Sequence, residues 1–550
     1  VLGGLSLYHI ALHIKKTKAG SYYTAEELAQ CPMAVMAIYL AVFLASLAIV
    51  YKLATRRRGI SNLPPGPPSL PIIGHLHLLK DPIYDYLASL ISAYGHNLFL
   101  RFGRVPVFIT SSPATVEECF TTKDLVLADR PRSVSGDHFT YDYTFLVWAP
   151  HGPHWRTLRR VTHTEIFSLK SLQKSAYVRE EEVQCLLRSL FHDSLPLTNG
   201  EKQLVDMRHV ISILTSNIVM KVAAGRRCVE MHESESEKGQ MLLQEFKDLF
   251  FPIVSLTLCD FIPIFRWIGY KGLEKKMANL HKRRDTFMTA LMEDSRSKLT
   301  WVPEKDGGVG EERRSVAETL LLLQKTDPEF FTDNVIKGIV MMMFIAGTET
   351  STYTLEWAMS LLVNHPQVLK KLQEEIDSEV GQSRMVKDTD LANLPYLKCI
   401  VKETLRMYPP APLLLPHCAI QDCTLAGYDI PKGTMVMVNA WAMHRDPLTW
   451  EEPHRFMPER FENYSGELRE GFMFVPFGVG RRQCPGGNMG TQVVSLGLAA
   501  MVQCFDWAAV GGKEDMAHGT GGVSLSKVKP LEALCSPRPS ALHLLSALSA

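Results

Sequence analysis

Residues 474–486 read FVPFGVGRRQCPG, and this stretch decides how the 550-residue chain is interpreted. It is not a dinucleotide-binding loop, because Gln483 stands where that motif needs its third glycine. It presents a single thiol instead, since Cys484 can bind a soft metal as a thiolate. Glycines at 480 and 486 would let the backbone approach a flat cofactor and direct N–H groups at the sulfur. We therefore predict a metal ligand at Cys484.

The neighbours of Cys484 fit a loop that holds a flat cofactor carrying carboxylates. Phe477 can shield the thiolate from water, and Arg482 can form paired, charge-assisted hydrogen bonds with a carboxylate. Pro485 ends the loop and allows a helix to begin after it. The alternative is that Cys484 is an ordinary buried thiol, which would not require these neighbours.

The pattern F-x-x-G-x-R-x-C-x-G resembles that of the cytochromes P450, the haem-thiolate monooxygenases. The resemblance implies haem b (iron protoporphyrin IX) as the cofactor, with Cys484 as the axial ligand of the iron. It also implies that Phe477, Arg482 and Gly486 contact that cofactor. The resemblance extends from Leu63 to Pro537, and the family's further motifs follow in their usual order.

Residues 346–351 read AGTETS and place polar side chains in a helix pattern whose preceding residues, 341–345, are MMMFI. A buried carboxylate beside a hydroxyl is costly unless it is paired or used. The resemblance implies that Gly347 leaves room for oxygen, that Thr350 contacts the bound oxygen and that Glu349 helps to relay protons. A capping or threonine-rich helix segment is the alternative.

Glu403 and Arg406 stand three residues apart, so they share one face of a predicted helix and can pair. Alone, this spacing is more typical of a solvated salt bridge. Arg460, in the stretch FMPERF (456–461), could complete a network of three charges. The resemblance implies that this triad is structural and supports the thiolate loop.

Residues 155–160 read WRTLRR and match the family's W-x-x-x-R helix. The resemblance implies that Trp155 and Arg159 contact the haem propionates. His417 stands where the family commonly places another propionate partner. A basic surface helix is the alternative for the tryptophan and arginine pair.

The composition excludes several classes of protein. Lys and Arg number 59 and Asp and Glu 58, so the net charge of 59 − 58 = +1 argues against nucleic acid as a partner. Hydrophobic residues make up 46% and charged residues 21%, which is typical of a globular chain with a large core. The 11 cysteines contain no C-x-x-C pair, so they do not predict a zinc ribbon and fit a reduced, cytosol-facing environment.

The N-terminal part predicts attachment to a membrane. We divide the chain into a doubtful leader (1–32), a transmembrane anchor (33–51), a basic stop with a proline-rich spacer (52–71), a haem domain (72–538) and a tail (539–550). The almost wholly apolar anchor can span a bilayer, and the basic residues after it place the body in the cytosol. The resemblance then implies a single-pass protein of the endoplasmic reticulum membrane.

The expected fold is mainly α with minor β (α+β), a single large haem domain of the P450 type. A short hairpin is predicted at 98–102 and 105–110. Helices are predicted at 333–363, 366–380 and 388–408, and the Ser and Thr hydroxyls within 346–351 can bend or open the first of them locally. A polar, glycine-rich surface loop is predicted at 301–316.

The function implied by the resemblance is oxidation with O2 and with NADPH electrons from a separate, membrane-bound reductase, because the chain has no nicotinamide or flavin motif. The chain resembles plant microsomal members of the isoflavone hydroxylase-like group, so we expect a small apolar or aromatic secondary metabolite as substrate. Methylenedioxy-bridge formation and terpenoid hydroxylation would use the same chemistry. A non-oxidative haem-thiolate isomerase would use the haem without O2, and a haem carrier or sensor would bind it without catalysis.

Overall fold

The computed structural model describes residues 32–55, 62–195, 202–230, 236–251, 256–301, 314–464, 472–519 and 524–549. The chain forms two compact units, residues 1–60 and residues 61–550. The expected leader lies outside the described residues except for Pro32, and the expected surface loop lies outside them from residue 302 to residue 313.

The described part of the first unit is one helix, α1 (Pro32–Thr55). Its formation agrees with the helical conformation expected at 33–51, since the run contains no proline or glycine after its first residue. Among all described helices, none meets the length and hydropathy that crossing a membrane requires. The spanning role of this segment therefore stays a prediction.

The second unit is predominantly helical with small sheets, as expected. Its helices are α2 (Ile83–Tyr94), α3 (Pro113–Phe120), α4 (Val134–Phe139), α5 (Pro153–Thr162), α6 (Leu169–Lys174), α7 (Ala176–Ser194), α8 (Met207–Ala224), α9 (Glu237–Phe250), α10 (Leu258–Phe261), α11 (Pro263–Trp267), α12 (Leu273–Trp301), α13 (Val316–Thr326), α14 (Asp333–Gly347), α15 (Glu349–Asn364), α16 (Pro366–Glu379), α17 (Pro395–Met407), α18 (Ala440–Met443), α19 (Gly487–Cys504) and α20 (Leu542–Ser549).

The strands among the described residues of the second unit form three sheets with the orders β1-β2-β7-β4, β3-β9-β8 and β5-β6. They are β1 (Asn97–Phe102), β2 (Val105–Thr110), β3 (Gln203–Asp206), β4 (His417–Cys418), β5 (Cys423–Leu425), β6 (Tyr428–Ile430), β7 (Met435–Val438), β8 (Phe505–Ala509) and β9 (Glu532–Pro537).

The predicted hairpin is confirmed: β1 and β2 pair antiparallel, with Phe102 opposite Val105 at the turn. Gly103 makes that turn with a left-handed φ of +55°, and a Cβ there would collide with the carbonyl oxygen of Phe261. The far side of β2 pairs in parallel with β7, a strand more than three hundred residues later. Local sequence patterns carry no information on such a distant partner.

Two of the predicted helices are broken. The helix expected at 333–363 divides at Thr348, which separates α14 from α15. The helix expected at 388–408 begins as a 3-10 turn (Asp388–Asn393), and its α-helical part, α17, starts at Pro395. Proline favours the first position of a helix, because its missing N–H has no partner there.

The helix after the thiol loop, α19, lies in the core. Its residues from Val493 to Cys504 are buried, and a Cβ at Gly497 would lie 3.1 Å from Leu355 Cδ2 in α15. The close approach brings the start of α19 beside the start of α15, since a Cβ at Gly490 would contact Ser351 Oγ at 3.9 Å. The cysteine loop and the polar helix break therefore belong to one region of the molecule.

Candidate active site

The cysteine loop is closed by its own backbone. The Cys484 N–H donates to the carbonyl of Phe477 at 2.9 Å. The ring of Phe477 packs against Gly487, where an added Cβ would lie 3.3 Å from Phe477 Cγ. Gly480 has a φ of +74°, and a Cβ there would lie 2.8 Å from Asp124 Oδ1. Glycine is thus required at 480, because Asp124, which follows α3, approaches it closely. A Cβ at Gly486 would meet Phe167 at an ordinary 3.4 Å.

The thiol of Cys484 is set apart from the other described cysteines, because it alone is exposed. The protein around it still desolvates the sulfur and raises the pKa of the thiol, while the N–H groups of Gly486 and Gly487 and the charge of Arg159 act in the opposite direction. In the described parts of the chain, no three His, Cys, Asp or Glu side chains converge as a metal site. One thiolate stabilised by two N–H groups and a cation fits haem iron, whose equatorial ligands come from the porphyrin.

Arg482 is anchored by backbone carbonyls. Its nitrogens donate to the carbonyls of Ala128 (2.6 Å), Leu146 (3.1 Å) and Ala149 (2.6 Å), and its guanidinium lies 4.5 Å from the ring centre of Trp155. The paired contact with a carboxylate is therefore not its only anchor, because three carbonyls already orient the group.

Arg130 is a second buried guanidinium of this region, which no sequence motif indicated. Its Nη1 donates to the carbonyls of Leu415 and Pro416, both at 2.8 Å. Burial and the proximity of Arg482 lower the pKa of Arg130 to about 9. No carboxylate of the described residues forms an ion pair with Arg130 or Arg159. Such positive charge fits the two propionates of haem b.

His417 and Trp155 border the same basic group. His417 Nδ1 lies 2.8 Å from the Leu127 carbonyl, and burial together with the charge of Arg130 lowers its pKa well below its usual value. The Trp155 Nε1–H donates to the Leu146 carbonyl at 3.0 Å, the carbonyl that Arg482 also contacts. The structure thus brings together the predicted residues Cys484, Arg482, Trp155, Arg159 and His417.

The break between α14 and α15 carries the predicted oxygen-site residues. The Thr348 hydroxyl donates to the Phe344 carbonyl and the Thr350 hydroxyl to the Ala346 carbonyl, both at 2.7 Å. Hydroxyls that bond back to carbonyls four residues earlier bend helices. Ala346 is exposed although the residues before it are buried, so it is the residue of this break that faces open space.

Gly347 packs closely against a neighbouring helix. A Cβ there would point at α8 and lie 3.2 Å from Val219 Cγ2. The glycine therefore permits close packing of two helices, and its expected role in leaving room for oxygen stays a prediction.

Glu349 does not bond to its neighbour Thr350. Its Oε1 accepts from the Tyr353 hydroxyl at 2.9 Å and its Oε2 from Ser524 Oγ at 3.3 Å. Burial raises the pKa of Glu349, although these hydrogen bonds and the charges of Lys247 and Arg208 act against the rise.

The charged triad is present and buried. Arg406 donates from Nε and Nη2 to the two oxygens of Glu403 at 2.7 and 2.8 Å, and Arg460 Nε reaches Glu403 Oε1 at 3.1 Å. Arg406 Nη1 also donates to the His444 carbonyl, and His444 Nε2 accepts the N–H of Val475 at 3.1 Å. The triad is thus linked by hydrogen bonds to the start of the cysteine loop.

Comparisons with known proteins agree with this geometry. The family Cytochrome P450 matches residues 64–533 of the chain. The chain is 41% identical to Cytochrome P450 81Q32 of Catharanthus roseus, over 91% of this chain and 96% of that protein. It is 40% identical to the isoflavone 2'-hydroxylase of Glycyrrhiza echinata (90% and 96% covered) and 38% identical to the (+)-piperitol/(+)-sesamin synthase CYP81Q2 of Sesamum radiatum (92% and 96% covered).

Proposed function

The chain belongs to the cytochrome P450 family and is a monooxygenase, and we propose that it hydroxylates an aromatic secondary metabolite of plants, of the isoflavonoid or phenylpropanoid class. Haem supplies the activation of O2 when it is bound, with electrons from a reductase. The observation that carries the proposal is the exposed Cys484 thiol in its loop, in a region where Arg130 and Arg159 form no ion pair with a carboxylate of the described residues. Family membership favours an enzyme over the non-catalytic haem carrier.

Several residues of this chain would hold the haem. Cys484 would ligate the iron of haem b, and Arg130, Arg159 and His417 would contact the propionates from the basic group around Arg482. The protein supplies orientation and excludes water, while the oxidising chemistry belongs to the cofactor.

Proton supply would fall to the helix break between α14 and α15. The Thr350 hydroxyl, which donates to the Ala346 carbonyl at 2.7 Å, would be the hydrogen-bond donor of this break. Glu349 would hold the next proton, because its buried carboxyl has a raised pKa and is protonated more readily than an exposed one.

The substrate class is proposed from relatives and from the composition of the segments expected to surround the substrate. The Glycyrrhiza echinata relative is named an isoflavone 2'-hydroxylase, and the Medicago truncatula relative an isoflavone 3'-hydroxylase. The expected wall segments are rich in Phe, Leu, Met and Tyr, which suits an apolar aromatic ligand. These segments are 132–148, 245–265, 341–350, 410–415 and 519–523.

Methylenedioxy-bridge formation is the second candidate reaction, because one relative is named a piperitol and sesamin synthase. The test is incubation of the holoenzyme with reductase, NADPH and a library of isoflavones, lignans and terpenoids, followed by mass analysis of products. A gain of one oxygen on an isoflavone supports hydroxylation. A loss of two hydrogens from a methoxyphenol supports bridge formation, and turnover of terpenoids alone would contradict the aromatic class.

We also propose a membrane anchor and a cytosolic body at the endoplasmic reticulum. The support is the sequence MAVMAIYLAVFLASLAIV at 33–50 and the basic residues Arg56, Arg57 and Arg58 after it. Removal of residues 1–61 should release the protein from microsomes into the soluble fraction. A glycan on Asn463, within the sequon Asn463-Tyr464-Ser465, would contradict the cytosolic orientation.

A further inference from the structure

The carboxylate of Glu349 is held by two hydroxyl groups that no sequence motif singled out. Tyr353, one turn later in α15, donates to Oε1 at 2.9 Å. Ser524, in the segment before β9, donates to Oε2 at 3.3 Å. Each carboxylate oxygen therefore has one hydroxyl donor, and the carboxylate has a defined orientation beside the helix break.

The groups that face this carboxylate come from four segments of the fold. Tyr353 lies on its own helix, Ser524 on the C-terminal segment, Arg208 on α8 and Lys247 on α9. Burial raises the pKa of Glu349, while the two hydroxyls and then the two cations lower it. The two hydroxyls donate directly to the carboxylate oxygens and so favour the charged form.

The two cations extend this cluster toward solvent. The guanidinium of Arg208 lies 5.6 Å from the ring centre of Tyr353, and its Nε pairs with Glu356 at 3.0 Å. The Arg208 side chain is 22% exposed, and Lys247 is half-buried. The charges of Arg208 and Lys247 therefore act on Glu349 from the side of α8 and α9.

We infer that Tyr353 and Ser524 are positioning residues, which hold the Glu349 carboxyl for proton delivery through one hydrogen bond each. The inference rests on the proposed function, because it specifies how one residue of that site is held. Tyr353 does not touch substrate or cofactor in this role, and its phenolic O–H acts only through Glu349. The Tyr353 ring packs against the hydrophobic core, so a phenylalanine at this position keeps that packing and loses only the hydroxyl.

The direct test is a pH titration of the Glu349 carboxyl in the resting holoenzyme by infrared difference spectroscopy, with the Glu349→Gln variant identifying the signal. Tyr353→Phe should move the titration midpoint to higher pH, because burial remains and one stabilising hydrogen bond is lost. Ser524→Ala should move it in the same direction by less, since its hydrogen bond is longer.

Tyr396→Phe is the matched control, because the Tyr396 hydroxyl donates at 2.8 Å to the carboxylate of Glu459 on a different element. This variant should leave the midpoint of Glu349 unchanged. Unchanged midpoints in both Tyr353→Phe and Ser524→Ala would overturn the inference. An equal shift in Tyr396→Phe would also overturn it, since the effect would then not depend on contact with Glu349.

Turnover gives a second reading, the fraction of NADPH electrons recovered in product rather than in peroxide. Tyr353→Phe should lower this fraction about fivefold, the equivalent of one ordinary hydrogen bond. If Glu349→Gln loses product while Tyr353→Phe matches the wild type in both readings, the inference fails and the proposed function stands. If the wild type forms no product from any substrate, the proposed function fails, and the midpoints alone decide whether the two hydroxyls hold Glu349.

Discussion

At the scale of single residues, the site depends on buried charges whose partners are also buried. Glu403 and Arg406 are both inaccessible to solvent, and Arg460 is nearly so. Removing one member of such a pair leaves the other charge without compensation in a medium of low dielectric constant. The stability of the loop support is therefore most sensitive to changes that remove a single charge.

Glu403→Gln should lower the free energy of unfolding of the holoenzyme by about 3–5 kcal/mol, because the guanidinium of Arg406 stays buried and loses its counter-charge. Glu374→Gln is the control, since its partner Lys370 lies 3.8 Å away and both side chains are largely exposed. The control should change the free energy by less than about 0.5 kcal/mol. Urea unfolding measures both, and equal losses would contradict the role of the buried triad.

The His444 ring makes stability depend on pH. Burial first, then the charges of Arg406 and Arg445, lowers its folded pKa to about 3 from the ordinary 6.5. Below pH 6.5 the unfolded chain binds a proton that the folded protein does not, so stability falls as the pH falls from 6.5 toward 3.

Comparison of the wild type with His444→Gln isolates this contribution. The free energy of unfolding measured between about pH 6 and pH 4.5 should fall less steeply in the variant, by about 1.4 kcal/mol per pH unit. Identical slopes for the two proteins would mean that His444 is not held neutral in the folded state.

Some residues of the site belong to sequence motifs, and others have partners that are distant in sequence. The cysteine loop, the charged triad and the pair Trp155 and Arg159 could each be singled out from the sequence, because each belongs to a recognisable motif of its own. Arg130 was missed because its partners, the carbonyls of Leu415 and Pro416, are distant in sequence. Its only local signal is a charged residue after the apolar run LVLA (125–128). The packing of Gly347 against Val219 depends on tertiary structure, so the sequence does not report it.

At the scale of elements, the cysteine loop and the helix break are both shaped by what packs against them. Gly480 has a left-handed φ of +74° and lies against Asp124, so two separate features exclude a side chain. Gly381 shares the left-handed φ, at +79°, but no atom of another residue lies within 4 Å of its would-be Cβ. Alanine substitutions at the two positions therefore distinguish the cost of backbone strain from the added cost of a clash.

Gly381→Ala should lower the free energy of unfolding by about 1–2 kcal/mol through the left-handed backbone alone. Gly480→Ala should lower it by at least about 1 kcal/mol more, because the added Cβ must displace Asp124. The difference is measured by urea unfolding of the two holoenzymes. If Gly480→Ala were no more destabilising than Gly381→Ala, the close approach of Asp124 would not constrain the loop.

The elements themselves were predictable where the pattern is local. In the hairpin, β1 has alternating burial and a short turn leads to β2, and α16 begins at a proline, so both elements agree with the sequence prediction. The long helix divides at Thr348, within the stretch where the sequence predicts that Ser and Thr hydroxyls can bend or open it, although apolar periodicity continues on both sides. Hydroxyl groups that bond back to the helix carbonyls decide the break, and periodicity does not report them.

At the scale of the whole molecule, residues far apart in the chain meet at the site. Arg130 contacts Leu415 and Pro416, Arg482 contacts Ala128, and β2 pairs with β7. The class, mainly α with minor β, followed from helical periodicity and family resemblance. The parallel pairing and the basic group around Cys484 required the folded structure, since a net charge of +1 gives no indication of local charge.

The central claim is that Cys484 ligates haem iron as a thiolate. The most direct measurement is the carbon monoxide difference spectrum of the reduced protein, recorded for the wild type and for Cys484→Ala at equal haem content. The wild type should give the spectrum of a thiolate-ligated haem, and Cys484→Ala should lose it, because no other cysteine of the described residues is exposed. A thiolate spectrum in Cys484→Ala, or none in the haem-loaded wild type, would contradict thiolate ligation by Cys484.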